Sequence, residues 1–202
     1  MKSCHPTHRC GSLLGTSSAP VRAPLIDDFI QRSHAHPDIV RSNHLLAELQ
    51  CCCADVHGSG IGTGFYRDGF CSTGPMDEGR HTVCIIATEA FLSVSAAAGN
   101  PLHQPIPEYM FPGVRPGDCW CLCASRYAQL LELDEKEAVR DVQGERVEGF
   151  VPQIHLLATH EKTLEHVPLD TLMEHAIDAD EAKTELARLK ALREKMEKGL
   201  KL

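Results

Sequence analysis

The sequence predicts an α+β fold: a small mixed or antiparallel sheet with helices on one side, plus a long C-terminal amphipathic helix. Three observations predict it. His81 to Thr88 alternates, with Val83, Ile85 and Ala87 on one side, as a strand does. Cys119-Trp120-Cys121-Leu122-Cys123 also alternates, so as a strand it sets three sulfurs on one face and Trp120 and Leu122 on the other. Ala182, Leu186, Leu189, Leu192, Met196 and Leu200 recur every three to four residues, the spacing of one helix face.

Taken in order, residues 1–25 show no sustained periodicity and end in the punctuation of Pro20 and Pro24, which predicts a disordered tail. Residues 26–44 form a short helical lead-in, broken at His36-Pro37. A core domain is expected over 45–177. Its first part, Gly58 to Gly79, carries a run of glycines with Asp68-Gly69 and Gly74-Pro75 turns, the pattern of a functional surface loop or of tight hairpins. The His81 strand follows, then a helix over Glu89–Ala98 stopped by Gly99-Asn100. Five prolines make Pro101 to Gly117 an irregular connector.

The cysteine run has a second reading, as the first turns of a helix with Asp118 as N-cap and Cys119 beside Cys123 at i,i+4. Ser125 to Leu133 is helical in either case. The segment of about 132–149 is charged and is expected to be an exposed insertion. Ile154 to Ala158 is expected as a strand, and Leu169 onward as a helix. The final helix, 178–202, either packs on its own domain or pairs with a second copy, so a homodimer through this helix is one expected assembly.

Composition limits the function. A 202-residue chain that is 43% hydrophobic and 24% charged suits a globular protein with one principal domain. A formal charge of −8 argues against nucleic acid as the main partner, since phosphate backbones are bound by dense Lys and Arg. No stretch reaches the roughly 18 apolar residues of a membrane span. Ten cysteines without the apolar core of a signal peptide point to a cytoplasmic location, where clustered thiols serve more often as ligands, redox groups or buried side chains than as bridges. The first 26 residues lack Asp and Glu and carry Lys2, Arg9, Arg22 and four serines, which makes the mitochondrial matrix the alternative.

The residues that carry chemistry are thiols and imidazoles. Cys123 or Cys121, where a strand hands over to a helix, is a candidate nucleophile, because the helix N-terminus favours a thiolate. His81 or His160 would be the base, with Asp68, Asp77 or Asp118 orienting it. Arg67, Asp68, Asp77 and Arg126 are candidate ligand-binding residues. In turns, Arg and Asp beside Gly also tie the loop to its own backbone. A zinc site would draw on Cys71, Cys84, Cys121 and Cys123, although Cys-x-Cys and His-x-x-Cys are not the spacings of standard zinc knuckles. The simpler alternative is that Cys84 and one of Cys121 and Cys123 are buried small hydrophobes.

From Thr63-Gly64-Phe65-Tyr66-Arg67-Asp68-Gly69-Phe70-Cys71 onward the chain resembles a family catalogued as domain of unknown function number 2237. The resemblance continues through Thr73-Gly74, Asp77, Gly79, His81-Thr82-Val83-Cys84 and Phe91-Leu92. It then covers Gly99-Asn100, Phe111-Pro112-Gly113, Pro116-Gly117-Asp118, Trp120-Cys121-Leu122-Cys123-Ala124, Arg126 and Ala158-Thr159-His160. It implies a compact α+β domain and no assigned activity. Pro101, His103 and Gln104 replace the family's usual Asp-Leu-Ser-Thr stretch, the charged segment from Glu132 to Gly149 lengthens a connection that is short in the family, and both chain ends lie outside the resemblance. The expected function is to bind or act on a small molecule in a pocket lined by Cys, His, Asp and Arg. The alternatives are a structural zinc-binding domain, or a non-catalytic scaffold that works through its terminal helix.

Overall fold

A computed structural model describes residues 49–199, so the expectations for the N-terminal tail and the helical lead-in lie outside the described residues. Strands β1 (His81–Ile86) and β2 (Cys119–Cys123) form an antiparallel pair. The helices are α1 (Glu89–Ala97), α2 (Ala124–Glu135), α3 (Leu169–His175) and α4 (Ala179–Gly199). The architecture is α+β with a C-terminal helix, as the sequence predicts.

Thr82, Val83, Ile85 and Ile86 give β1 the β-branched side chains that fit a pleated surface. The register sets His81 opposite Cys123, Cys84 opposite Cys121 and Ile85 opposite Trp120, with a bulge between His81 and Val83. A two-stranded sheet is marginal by itself. Here irregular chain completes both edges. Along β2, the Cys121 amide donates to the Thr63 hydroxyl (2.8 Å). Along β1, the His155 amide donates to the Cys84 carbonyl (2.9 Å) and the His160 amide to the Thr82 carbonyl (2.9 Å). The sheet is therefore buried on its edges as well as its faces. Val83, Ile85, Phe91, Leu122, Tyr127, Phe150, Ile154, Leu156 and Leu172 make the core.

Thr88 caps α1 by accepting from the Phe91 amide (3.1 Å), and Gly99, at φ 81°, turns the chain out of the helix. The cysteine run is the strand of its two readings. Asp118 does not cap a helix there; its carboxylate is occupied by the Arg115 amide (2.7 Å) and the His57 ring (2.8 Å). Ile154 to Ala158 is not a strand. Ile154 bridges Ile85 and Ala176, and Leu156–Ala158 is a single 3₁₀ turn. The reason is local: the Leu156 and Leu157 amides, which a ladder would use, donate instead to the Asp178 carboxylate (2.7 and 3.0 Å) just ahead of α4. Residues 137–148 form an exposed, charged excursion beyond α2, clasped by Arg146 to Glu137 at 2.6 Å.

The cysteines differ from expectation. Disulfides join Cys52 to Cys84 and Cys71 to Cys121, and Cys51 and Cys119 are also disulfide-bonded. Cys53 and Cys123 keep their thiols, Cys53 buried and Cys123 partly exposed. Sequence spacing carries no sign of this, because the partners lie 32 and 50 residues apart.

Candidate functional site

The site starts from a turn. The Asp77 amide donates to the Gly74 carbonyl (3.0 Å) and the Arg80 amide to the Asp77 carbonyl (3.2 Å), which folds Asp77 back toward the first residue of β1. Asp77 is fully buried. One carboxylate oxygen accepts from the His81 amide (2.9 Å), and the other accepts from His81 Nδ1 (2.6 Å). Nδ1 is committed to Asp77, which leaves Nε2 for the residue across the sheet. That residue is Cys123. Directly opposed side chains share a face, with Cβ atoms about 5 Å apart.

The bulge matters here. In an uninterrupted strand His81 and Cys84 would point to opposite faces. The irregularity between His81 and Val83 breaks that alternation and brings His81 against Cys123. Arg80, just before His81, has φ 51°, a left-handed conformation that a non-glycine residue adopts only when its surroundings impose it. Its carbonyl accepts from the Thr82 amide (2.8 Å) and from the Ala124 amide (2.9 Å), tying the turn to the start of α2. Cys123 occupies the N-cap position of that helix.

Gly79 fits closely into this arrangement. A Cβ there would stand 3.0 Å from His81 Cε1 and 3.3 Å from Cys123 Sγ. The Phe65 ring flanks His81 with centroids 5.9 Å apart. The His81 side chain stays 30% exposed, so the imidazole is supported from below and open above.

Charge follows geometry. Burial works against an imidazolium at His81, but the hydrogen bond to Asp77 and then the contact with Cys123 outweigh it and raise the pKa to about 9. Burial likewise opposes ionisation of Asp77. The hydrogen bonds and charge of His81, with Thr73 beside it, hold its carboxyl below the ordinary range. The result is a carboxylate and an imidazolium beside the Cys123 sulfur.

The other candidate residues have different work. Cys121, considered as a nucleophile, is in a disulfide with Cys71. His160, considered as a base, is buried; its Nδ1 accepts from the Lys162 amide (3.1 Å) and caps a 3₁₀ turn. Asp118, considered as the orienting carboxylate, serves His57 and the Arg115 turn instead. Asp68 accepts from the Phe70 amide (3.1 Å) within its own loop. Arg67 donates to the carbonyls of Gly64 (2.6 Å) and Tyr109 (3.0 Å) and lies over Trp120 at 5.2 Å. Burial lowers its pKa to about 10. Arg126 donates to the Ala98 carbonyl (3.2 Å) at the end of α1 and to Gln129 (3.0 Å). The expected zinc set of Cys71, Cys84, Cys121 and Cys123 is not assembled. Three of its members are in disulfides and Cys123 faces His81.

A family model described as an uncharacterized protein conserved in bacteria, DUF2237, matches residues 42–176. The chain belongs to the DUF2237 family. In this DUF2237 protein, Asp77, His81, Cys123 and the flanking Gly79 all lie inside the matched segment, while the whole of α4 lies beyond it. None of the curated proteins matches the chain. Among the described residues, no helix is long and apolar enough to cross a membrane. Gly79 and the bulge were missed at the sequence level. The spacing Asp77-x-x-x-His81, which lets a turn return a carboxylate to an imidazole, was the available signal.

Proposed function

We propose that Asp77, His81 and Cys123 form a nucleophilic centre that acts on a small carbonyl compound through a covalent thioester. The observation that supports this reading is the pairing of the partly exposed Cys123 thiol with an imidazole whose other nitrogen is held by a buried carboxylate. Cys123 sulfur would attack the carbonyl carbon and form the C–S bond. The proton on His81 Nε2 would leave with the departing group. Water would then give its proton back to His81 while its oxygen bonds to the carbonyl carbon, releasing the acid and the thiolate. Asp77 stabilises the imidazolium present before acylation and after hydrolysis, and keeps the ring in one orientation throughout. Such a centre needs Cys123 reduced, and Cys123 keeps a free thiol while six other cysteines are in disulfides.

The test uses iodoacetamide as the probe in place of an unidentified substrate. Wild-type protein should show one fast-reacting thiol, assigned by peptide mass spectrometry to Cys123 and abolished in Cys123→Ser. Asp77→Asn should slow that labelling roughly 10-fold or more, by withdrawing the charge that stabilises the imidazolium. Equal labelling rates in wild type and Asp77→Asn would remove the proposal.

A second reading rests on α4. Its Leu192 is 49% exposed and Met196 is 60% exposed, on the stripe that begins with fully buried Ala182. Pairing of two copies along this stripe is the scaffold alternative, read by the oligomeric state of a chain truncated after Ile177.

A further inference from the structure

Away from the Asp77–His81–Cys123 centre, two disulfides lie close together in the buried interior. Cys84 and Cys121 face each other across β1 and β2. Cys71 reaches them from the end of the glycine-rich loop. Cys52 comes from the segment whose amide donates to the Gly69 carbonyl at 2.8 Å. The sulfurs of Cys52, Cys71 and Cys84 all lie within 4.8 Å of one another, and Cys121 is bonded to Cys71. Cys71, Cys84 and Cys121 are fully buried, and Cys52 is 8% exposed. The two disulfides therefore lie side by side: three sulfurs are mutually close, and the fourth, Cys121, is attached through Cys71.

We propose that this cluster has a second chemical state: with both disulfides reduced, Cys52, Cys71, Cys84 and Cys121 bind a single zinc ion. Tetrahedral zinc with thiolate bonds of about 2.3 Å sets its sulfurs about 3.8 Å apart. The sulfurs of Cys52, Cys71 and Cys84, within 4.8 Å of one another, already stand near that spacing, and opening the Cys71–Cys121 bond frees the Cys121 sulfur to take the fourth position. Reduction of each disulfide takes two electrons and two protons from a dithiol reductant, which closes to its own disulfide. Zinc then displaces the thiol protons, up to four for the site. A four-thiolate zinc centre carries net negative charge and needs nearby donors. The buried Ser72 hydroxyl, one residue from Cys71, has no hydrogen-bond partner among the described residues and is a donor in reserve. The site is closed, with no position for substrate, so the metal would be structural. The same interior would then be cross-linked covalently under oxidising conditions and by metal under reducing ones. This set differs from the one expected from sequence: Cys52 stands in place of Cys123.

The experiment takes the full chain, reduces it anaerobically with a dithiol, removes the reductant, and titrates it with zinc alone or cobalt alone. The expected result is one equivalent of zinc per chain, and a cobalt form with the intense visible bands of a tetrahedral thiolate complex. Alkylation of the reduced chain, followed by mass spectrometry, should show Cys52, Cys71, Cys84 and Cys121 protected by zinc and Cys123 still labelled. Cys123→Ser should keep the full equivalent, so loss of the catalytic reading would leave this one standing. A reduced chain that takes up no metal, folded or not, overturns the proposal. So does zinc uptake that protects a different set of cysteines.

Discussion

Gly79 shows how little room the thiol and imidazole have. Its φ is ordinary, so alanine is tolerated by the backbone, but the added methyl would press on His81 Cε1 at 3.0 Å and on Cys123 at 3.3 Å. Asp77 pins the ring from the other side, so the contact is relieved only by parting imidazole from sulfur. Gly79→Ala is expected to leave the far-ultraviolet spectrum unchanged and to slow iodoacetamide labelling of Cys123 roughly 10-fold or more, as small misplacements of reacting groups do. His81 supplies a pH prediction. Its folded pKa, about 9, is above its ordinary 6.5. The imidazolium's stabilising contribution is then fully present below pH 6.5 and is lost as the pH rises through 9. Asp77, held below its ordinary 3.8, contributes above that pH and loses its contribution as pH falls through its folded value. The urea midpoint of the wild type should decline between pH 6.5 and 9, and that decline should be absent in His81→Gln.

The elements separate what holds the fold from what builds the site. Thr88→Ala removes the α1 cap and should cost about 1 kcal/mol in a thermal melt with Cys123 labelling unaltered. By contrast, truncation after Ile177 removes α4, including the buried Ala182; a monomer before and after would eliminate the scaffold reading. β1, α2 and α4 are legible in the sequence because each repeats one apolar period, and α1 because Gly99-Asn100 marks its end. Cys119–Cys123 admits two readings by residue pattern, and the structure selects the strand. Ile154–Ala158 is not a strand despite its apolar composition, because Asp178 takes the amides a ladder would use. In the site, Cys123 and His81 were legible as residue types. Their contact was not, because it depends on a bulge and on a left-handed Arg80, and neither leaves a pattern in the sequence.

For the molecule as a whole, the two disulfides anchor the 50s segment and the glycine-rich loop to the sheet, with 32 and 50 residues between their partners. Chain-entropy arguments assign about 4 kcal/mol to each closure of that length. Reduction without metal should therefore lower the melting temperature steeply in calorimetry, whereas adding zinc to the reduced chain should restore much of it. The carbonyl of Arg80 has a further use. It receives the Ala124 amide across a gap of more than forty residues in the chain, and that bond exists only while the turn carrying Asp77 and His81 is seated against the helix carrying Cys123. The exchange rate of that one amide proton with deuterium is thus a gauge of whether the centre is assembled, readable in solution before any substrate is known.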